Sequence, residues 1–340
     1  MTVRVAVNGF GRIGRNYLRA LRSAGRDIEI VAINDITEPK VNAHLLAYDS
    51  TYGRLGEPVT VTEKGLSVGD SEILVFSERE PKLLPWRGLE IDVVIESSGR
   101  FTSRAAASGH IDAGAGRVII SAPSGDADAT FVVGVNEDTF DPDAHQVVSN
   151  ASCTTNCFVP MVKVLDDAFT LNQGLMTTVH AYTNDQQLLD LARDNLRRAR
   201  AAAVNIVPTS TGAARATGLV LQAMAGRLDG VALRVPVQAG SMTDFTAVLA
   251  CEPSREEVNA AFADAARSGR LAGVLDYTED EIVSSDIVGS AASCTFDSLL
   301  TMVMPIGDGR SLAKVMGWYD NEWGYSNRLV DLTGIVAGRG

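Results

Sequence analysis

The run Gly9-Phe10-Gly11-Arg12-Ile13-Gly14 constrains the fold of this chain more than any other stretch. It follows a short apolar strand pattern (Val3, Val5, Val7) and opens a helix pattern carried by Ile13, Tyr17, Leu18 and Leu21. Between a strand and a helix, G-x-G-x-x-G is a phosphate-cradling turn. Its glycines allow a tight bend and close backbone approach, and the helix N-terminus receives a pyrophosphate. A second apolar strand, residues 28–33, ends at Asn34 and Asp35, which puts an acidic residue where the hydroxyls of an adenosine ribose bind. Motif, setting and Asp35 together predict a dinucleotide-binding half. A glycine turn without a ligand is the plainer alternative.

Further apolar runs at 91–95, 118–120 and 131–133 are short, continuous and β-branched, as parallel strands buried on both faces are. Their alternation with helical segments such as 103–113 predicts a doubly wound sheet that closes near residue 150.

The stretch SNASCTTNC (149–157) then carries the chemistry. A strand-like run at 146–148 feeds it, and Phe158, Val159, Val162 and Leu165 leave it at helical spacing. Cys153 therefore falls where a strand ends and a helix begins, with Ser152 as the expected N-cap. Unpaired N–H groups near the sulfur favour thiolate, the nucleophilic form. A small buried structural Cys is the bland alternative. The polar ring of Ser149, Asn150, Ser152, Thr154, Thr155 and Asn156 argues against it, and Cys153 is read as a nucleophile.

The second half changes character. Residues 176–182 (MTTVHAY) read as a strand carrying His180, and 183–209 are polar and arginine-rich. A TSTGAA turn (209–214) opens another helix, and antiparallel-looking strands follow at 231–235, 243–250, 299–304 and 313–319. By position alone, a histidine in an apolar strand is more often a satisfied core residue than a base.

A chain of 340 residues has room for two domains. Its net charge of -12 disfavours nonspecific binding to nucleic acid or anionic membranes, yet permits a local basic pocket. Four Cys, with no signal peptide and no transmembrane-length run, point to a reducing cytoplasm. Without a CxxC pair and with four His, no metal site is expected.

Taken together, NGFGRIGR (8–15), IND (33–35), SNASCTTNC, TVHAYT (178–183), PTSTGAA (208–214), RVP (234–236) and WYDNEWGYS (318–326) resemble phosphorylating glyceraldehyde-3-phosphate dehydrogenases of bacterial type, over nearly the whole chain. The resemblance implies an α/β protein. An N-terminal Rossmann domain (1–151) would hold a doubly wound, mostly parallel sheet. An α+β catalytic domain (152–318) would hold a mixed or antiparallel sheet, and a C-terminal helix (319–340) would return to the first domain. It implies Cys153 as nucleophile and His180 as base, with NAD as cofactor. The cofactor would be held by Gly9, Gly11, Arg12, Ile13, Gly14, Asp35, Ser121, Asn321 and Tyr325. Thr183 and Arg234 would bind the substrate's phosphate. Ser152, Thr154, Arg198, Thr211 and Gly212 would serve the attacking phosphate and its surroundings. A small-molecule substrate, inorganic phosphate, a cytoplasmic homotetramer and a glycolytic role complete the implication. The alternatives are an erythrose-4-phosphate dehydrogenase-like enzyme and a catalytically silent dinucleotide-binding protein.

Three positions depart from the family's pattern. Ala192 follows Leu191 where NAD-preferring members usually carry Pro, which bears on strictness against NADP, although the charge of Asp35 still opposes a 2′-phosphate. Gln238-Ala239 stands near a usual Pro, as in an isozyme that tolerates a thiol-reactive inhibitor. The segment 302–315 reads as a lengthened hairpin with Pro305, Gly307 and Gly309 as turn formers.

Overall fold

The structure is a computed structural model that describes residues 2–338, so Met1 and residues 339–340, the ends of two of the expected segments, lie outside the described residues. The chain forms two compact units. One comprises the chain up to Phe131, Glu137–Ser152 and the chain from Ser326 onward; the other comprises Val132–Asn136 and Cys153–Tyr325.

In the first unit, β1 (Val3–Asn8), α1 (Arg12–Ala24) and β2 (Ile28–Asn34) are followed by α2 (Pro39–Ala47) and a small ladder of β3 (Tyr48–Asp49) and β4 (Gly53–Arg54). Then come β5 (Val59–Val61), β6 (Gly65–Val68), β7 (Ser71–Phe76), β8 (Val93–Glu96), the short helices α3 (Arg104–Ala107) and α4 (Gly109–Asp112), β9 (Arg117–Ile120), β10 (Ala129–Thr130) and β11 (Val147–Ser149). The nine-stranded sheet runs β10-β11-β9-β8-β1-β2-β7-β6-β5. Every pairing from β10 to β7 is parallel, and only the β5-β6-β7 edge is antiparallel. The chain winds outward from β1 in both directions, so the crevice between β1 and β8 is the switch point where ligands of such sheets bind. Ala6, Val31, Val94, Val118 and Trp86 are buried together in the core. The last helix, α8 (Trp323–Val336), returns to this unit: Tyr17 Oη and Thr333 Oγ1 are 3.0 Å apart in the interior, and Arg26 pairs with Asp331.

The second unit contains α5 (Cys153–Phe169), β12 (Leu171–Ala181), β13 (Val207–Ser210), α6 (Ala213–Val220), β14 (Leu228–Val235), β15 (Ser241–Leu249), α7 (Arg255–Arg267), β16 (Leu275–Thr278), β17 (Cys294–Asp297), β18 (Met302–Gly307) and β19 (Arg310–Tyr319). Its eight-stranded sheet is mixed, with β12 parallel to β14 and antiparallel to β15. Burial alternates residue by residue along β15 and β19, the period-2 signature of a sheet with one packed face. On that face Phe158 of α5 meets Phe245 edge-on, and Phe262 of α7 stacks on Phe296 at 3.7 Å. Each buried aromatic pair contributes about 1 kcal/mol beyond area burial.

Several expectations are corrected. Residues 131–133 are not a strand: the chain leaves the sheet after β10 and turns, Val135 N–H bonding to Val132 O. The helical segment 103–113 is broken at Ser108, whose hydroxyl donates back to Arg104 O, and Gly109 lets the backbone approach Pro81. The strand expected at 299–304 begins only at Met302, because Asp297 caps a tight turn over Ser298–Leu300. The hairpin turn is Asp308-Gly309 alone, both with positive φ (58° and 66°), the pattern of a two-residue type I′ turn. Pro305 and Gly307 instead lie within β18, which among the described residues pairs with β19 alone, and an unpaired edge tolerates the proline's missing N–H.

Candidate active site

The first group of predicted residues sits at the C-terminal ends of β1, β2 and β9. Gly9 has φ of +89°, and a Cβ there would fall 2.5 Å from Ser98 Cα. A Cβ on Gly14 would fall 2.4 Å from Gly9 O, while Gly11 faces open space. Positions 9 and 14 therefore exclude side chains, and position 11 leaves room for a ligand. Gly11 is also the cap position of α1 and supplies no side-chain cap, which leaves first-turn N–H groups for an anion. Asp35 accepts from Phe10 N–H (2.6 Å) and Thr37 N–H (2.7 Å). A cradle without Cβ atoms, a helix start without a cap and a carboxylate ending β2 fit a dinucleotide. Ile13 lies half-buried in the first turn of α1, and Ser121 follows β9 with its N–H on Glu96 O. Arg12 is engaged elsewhere, pairing with Asp49 at 2.9 Å. Burial pushes the Asp49 carboxyl up, but Arg12 and the N–H groups of Tyr52 and Thr51 more than offset it and hold it below its usual range.

In the second unit Cys153 is the first residue of α5. The approach to it is unusual: Ala151 has φ of +54°, a left-handed conformation that costs a non-glycine residue about 1 kcal/mol. Ser149 over-determines that bend, donating to Ala122 O and accepting from Ala151 N–H. Cys153 Sγ lies 3.4 Å from His180 Nε2, although the two residues are 27 apart in the chain. His180 is buried at the end of β12, with Nδ1 2.6 Å from Ala181 O. The Ala181 carbonyl calls for a proton on Nδ1, which leaves Nε2 as an acceptor toward the thiol. Arg234 Nη1, 2.7 Å from the same nitrogen, can only donate and calls for a lone pair there, so the two contacts compete for the tautomer.

Burial pushes the Cys153 thiol up to about 11, against the pull of Arg234 and of hydrogen bonding with Thr154. Burial also pushes His180 down to about 3, assisted by the Arg234 charge and opposed by the Ala181 carbonyl. The helix start alone had pointed to a thiolate. Cys153 is half-buried, and desolvation of its sulfur opposes the thiolate that the helix start and Arg234 favour.

Arg234 Nη1 reaches both His180 Nδ1 (2.7 Å) and Ala181 O (3.1 Å), while its buried Nε has no hydrogen-bond partner among the described residues. Thr183 donates to Asp185, which also receives Arg198 Nη1 at 2.7 Å. Arg198 Nε donates to Thr209 Oγ1 at 3.0 Å. Thr211 and Gly212 stand at the start of α6, where Thr211 Oγ1 accepts from Ala213 N–H. Ser152 immediately precedes Cys153. The structure thus brings Cys153, His180 and Arg234 together as one group and Thr183 and Arg198 as another, joined through Asp185.

Sequence reasoning missed Asp185, Thr209 and Tyr319. Tyr319 Oη holds Thr154 Oγ1 (2.9 Å) and Thr178 Oγ1 (2.7 Å), so the Thr154 hydroxyl is turned toward the core. Its ring also lies edge-on to His180. Asn321 accepts from Ser241 Oγ, which accepts in turn from Ala181 N–H, so Asn321 is two hydrogen bonds from the residue after His180. Tyr325 is buried early in α8. Gln238 is exposed beyond β14 and Ala239 is buried.

Comparison with known proteins bears on both units. Residues 3–104 match the family model for the NAD-binding domain of glyceraldehyde 3-phosphate dehydrogenase, and 152–321 match the model for its C-terminal domain. The chain is 60% identical over 336 residues to glyceraldehyde-3-phosphate dehydrogenase of Streptomyces coelicolor, covering 99% of each chain. It is 59% identical to glyceraldehyde-3-phosphate dehydrogenase 2 of Streptomyces avermitilis over the same share, and 56% identical over 342 residues to the Mycobacterium avium protein of that name.

Proposed function

The chain belongs to the glyceraldehyde-3-phosphate dehydrogenase family, and from that premise we propose that it oxidises D-glyceraldehyde 3-phosphate with NAD and inorganic phosphate to 1,3-bisphosphoglycerate, in glycolysis. The observation that carries this reading is the 3.4 Å approach of Cys153 Sγ to His180 Nε2, with Arg234 behind the imidazole.

As Cys153 Sγ bonds to the aldehyde carbon, His180 Nε2 takes the thiol proton and returns it to the new alkoxide. The same nitrogen removes that hydroxyl proton as the carbon is oxidised. Bound NAD supplies the hydride acceptance. The product is a thioester on Cys153. A phosphate oxygen attacks its carbonyl, the C–S bond breaks, and the sulfur recovers its proton from His180. Gly9, Gly11, Gly14 and Asp35 would hold the dinucleotide, with Asn321 and Tyr325 at its nicotinamide end. Arg234, whose Nε has no partner among the described residues, and Thr183 would bind the substrate's phosphate. Arg198, Thr211, Gly212 and Ser152 would bind the attacking phosphate, with charge-assisted donors suited to an oxyanion.

The division into a cofactor domain (1–151), a catalytic domain (152–318) and a returning C-terminal segment (319–340) belongs to this proposal. So does a cytoplasmic homotetramer. Leu188, Leu189, Leu191 and Leu196 are all more than 60% exposed in one loop, an apolar patch suited to burial against another copy. Among the described residues no helix is long and apolar enough to cross a membrane.

The test is NADH absorbance with and without phosphate, with glyceraldehyde 3-phosphate and erythrose 4-phosphate as alternative substrates. A sustained rise that needs phosphate and favours glyceraldehyde 3-phosphate supports the proposal. Preference for the four-carbon sugar, or absence of any turnover by protein that binds NAD, overturns it.

A further inference from the structure

A buried polar chain lies behind the glycine turn, and each of its hydrogen bonds has a determined direction. Trp86, His110 and Glu96 are at most 2% exposed. Trp86 Nε1 can only donate, and it donates to His110 Nδ1 at 3.0 Å. That nitrogen must therefore carry a lone pair, so the proton of the neutral ring is on Nε2, 3.0 Å from Glu96 Oε2. An imidazolium would turn two N–H groups on each other and lose the Trp86 bond.

Glu96 is the collecting point. Its Oε2 also receives Asn8 Nδ2, and its Oε1 receives both the backbone N–H and the hydroxyl of Ser98. Four donors converge on the two oxygens, as suits a carboxylate, which only accepts. From Asn8 the order runs on: Asn34 Nδ2 donates to Asn8 Oδ1, and Glu78 N–H donates to Asn34 Oδ1. The ends of β1, β2 and β8 are thereby locked to one carboxylate. Ser98, held by Glu96, is the residue whose backbone a Cβ on Gly9 would strike. Ser97 next to it donates through its hydroxyl to Gly9 O at 2.7 Å.

We propose that Glu96 and His110 are positioning residues of the dinucleotide site, with Trp86 ordering His110, His110 and Asn8 holding Glu96, and Glu96 holding Ser98 against the Gly9 turn. The role rests on the reading of the turn at 9–14 as the NAD site. A buried structural network alone would raise stability without governing cofactor affinity. The ordered path to Gly9 makes affinity depend on the acceptor capacity of Glu96. Glu96→Gln keeps the shape but turns an NH2 group toward donors. His110→Gln keeps the order, because its amide oxygen accepts from Trp86 and its nitrogen donates to Glu96.

The test is calorimetric NAD binding by the full chain, with thermal unfolding measured on the same samples. Val118→Ala, a cavity in the same core, serves as a stability control, and Asp35→Ala as a control for the site itself. Glu96→Gln is expected to weaken NAD by about tenfold or more, an unsatisfied buried donor being costly. Ser98→Ala, which removes one hydroxyl donor and leaves the core intact, should weaken it by about threefold and carries the test if Glu96→Gln does not fold. His110→Gln should stay within about threefold of wild type. The proposal is overturned if Glu96→Gln and Ser98→Ala lose no more affinity than Val118→Ala, or if His110→Gln loses as much as Glu96→Gln. If Asp35→Ala weakens NAD while the Glu96 and Ser98 variants do not, only this inference falls. If Asp35→Ala also binds normally, the reading of the site falls with it.

Discussion

The carboxylate of Asp35 accepts a hydrogen bond of 2.6 Å from the backbone N–H of Phe10, inside the glycine turn. One residue therefore both braces the turn and presents an acceptor at the end of β2. Asp35→Ala should lower NAD affinity through both routes. The native enzyme should prefer NAD, since Asp35 beside a 2′-phosphate is a like-charge contact unfavourable by on the order of 1–3 kcal/mol. Ala192 adds no positive charge to compensate. Catalytic efficiencies with NAD and NADP, before and after Asp35→Ala, check this. Equal efficiency in the native enzyme would show that Asp35 does not set the preference.

Cys153→Ala should abolish aldehyde oxidation and leave NAD binding largely intact, because the glycine turn and Asp35 are untouched by the change. His180→Asn should lower turnover by roughly 10²–10⁴-fold, the scale of a lost general base. Single-turnover NADH formation measures both. Near-normal rates in either variant would remove that residue from the mechanism.

The Cys153 thiol, pushed by burial up to about 11, should be alkylated slowly by iodoacetamide at neutral pH. Thiolate is the reacting form, so the rate should climb about tenfold per pH unit through the alkaline range before levelling. A plateau already at neutral pH would mean that Arg234 and the start of α5 outweigh burial and that the resting pair is charged.

His180 carries an acid-stability signature of the opposite sign. Its folded pKa lies near about 3 and its ordinary value is 6.5, so below 6.5 the unfolded chain takes a proton that the folded one refuses. Stability is therefore full above about 6.5 and falls by up to about 1.4 kcal/mol per pH unit as the pH drops toward about 3. Urea midpoints against pH should show a shallower acid limb in His180→Asn. Parallel limbs would place the folded-state value of His180 near normal.

Arg198 is held by Asp185 and Thr209, within reach of Thr183 through the shared carboxylate. Arg198→Ala should spare the acylation burst and raise the KM for inorganic phosphate by roughly tenfold or more, the scale of a lost charge-assisted bond. A slowed burst with unchanged phosphate dependence would move Arg198 out of the attacking-phosphate subsite.

What the sequence by itself determined is what short-range geometry dictates. The glycines at 9 and 14 were legible because a strand turning into a helix leaves no room for a Cβ, and six residues carry that information. The N-terminal position of Cys153 in α5 was legible from the change of strand-like to helical spacing around it, and Asp308-Gly309 could have been read as the hairpin turn from its dipeptide alone. Tertiary structure decided the rest. Residues 131–133 have a strand's composition, yet the backbone there turns out of the sheet, and composition does not specify where a strand loses its neighbour. Asp185 looks like one more polar residue in an arginine-rich loop until Thr183 and Arg198 converge on it. The charge state of Cys153 is likewise a property of packing. A helix start favours thiolate, but desolvation depends on every atom that approaches the sulfur, and those atoms come from distant parts of the chain.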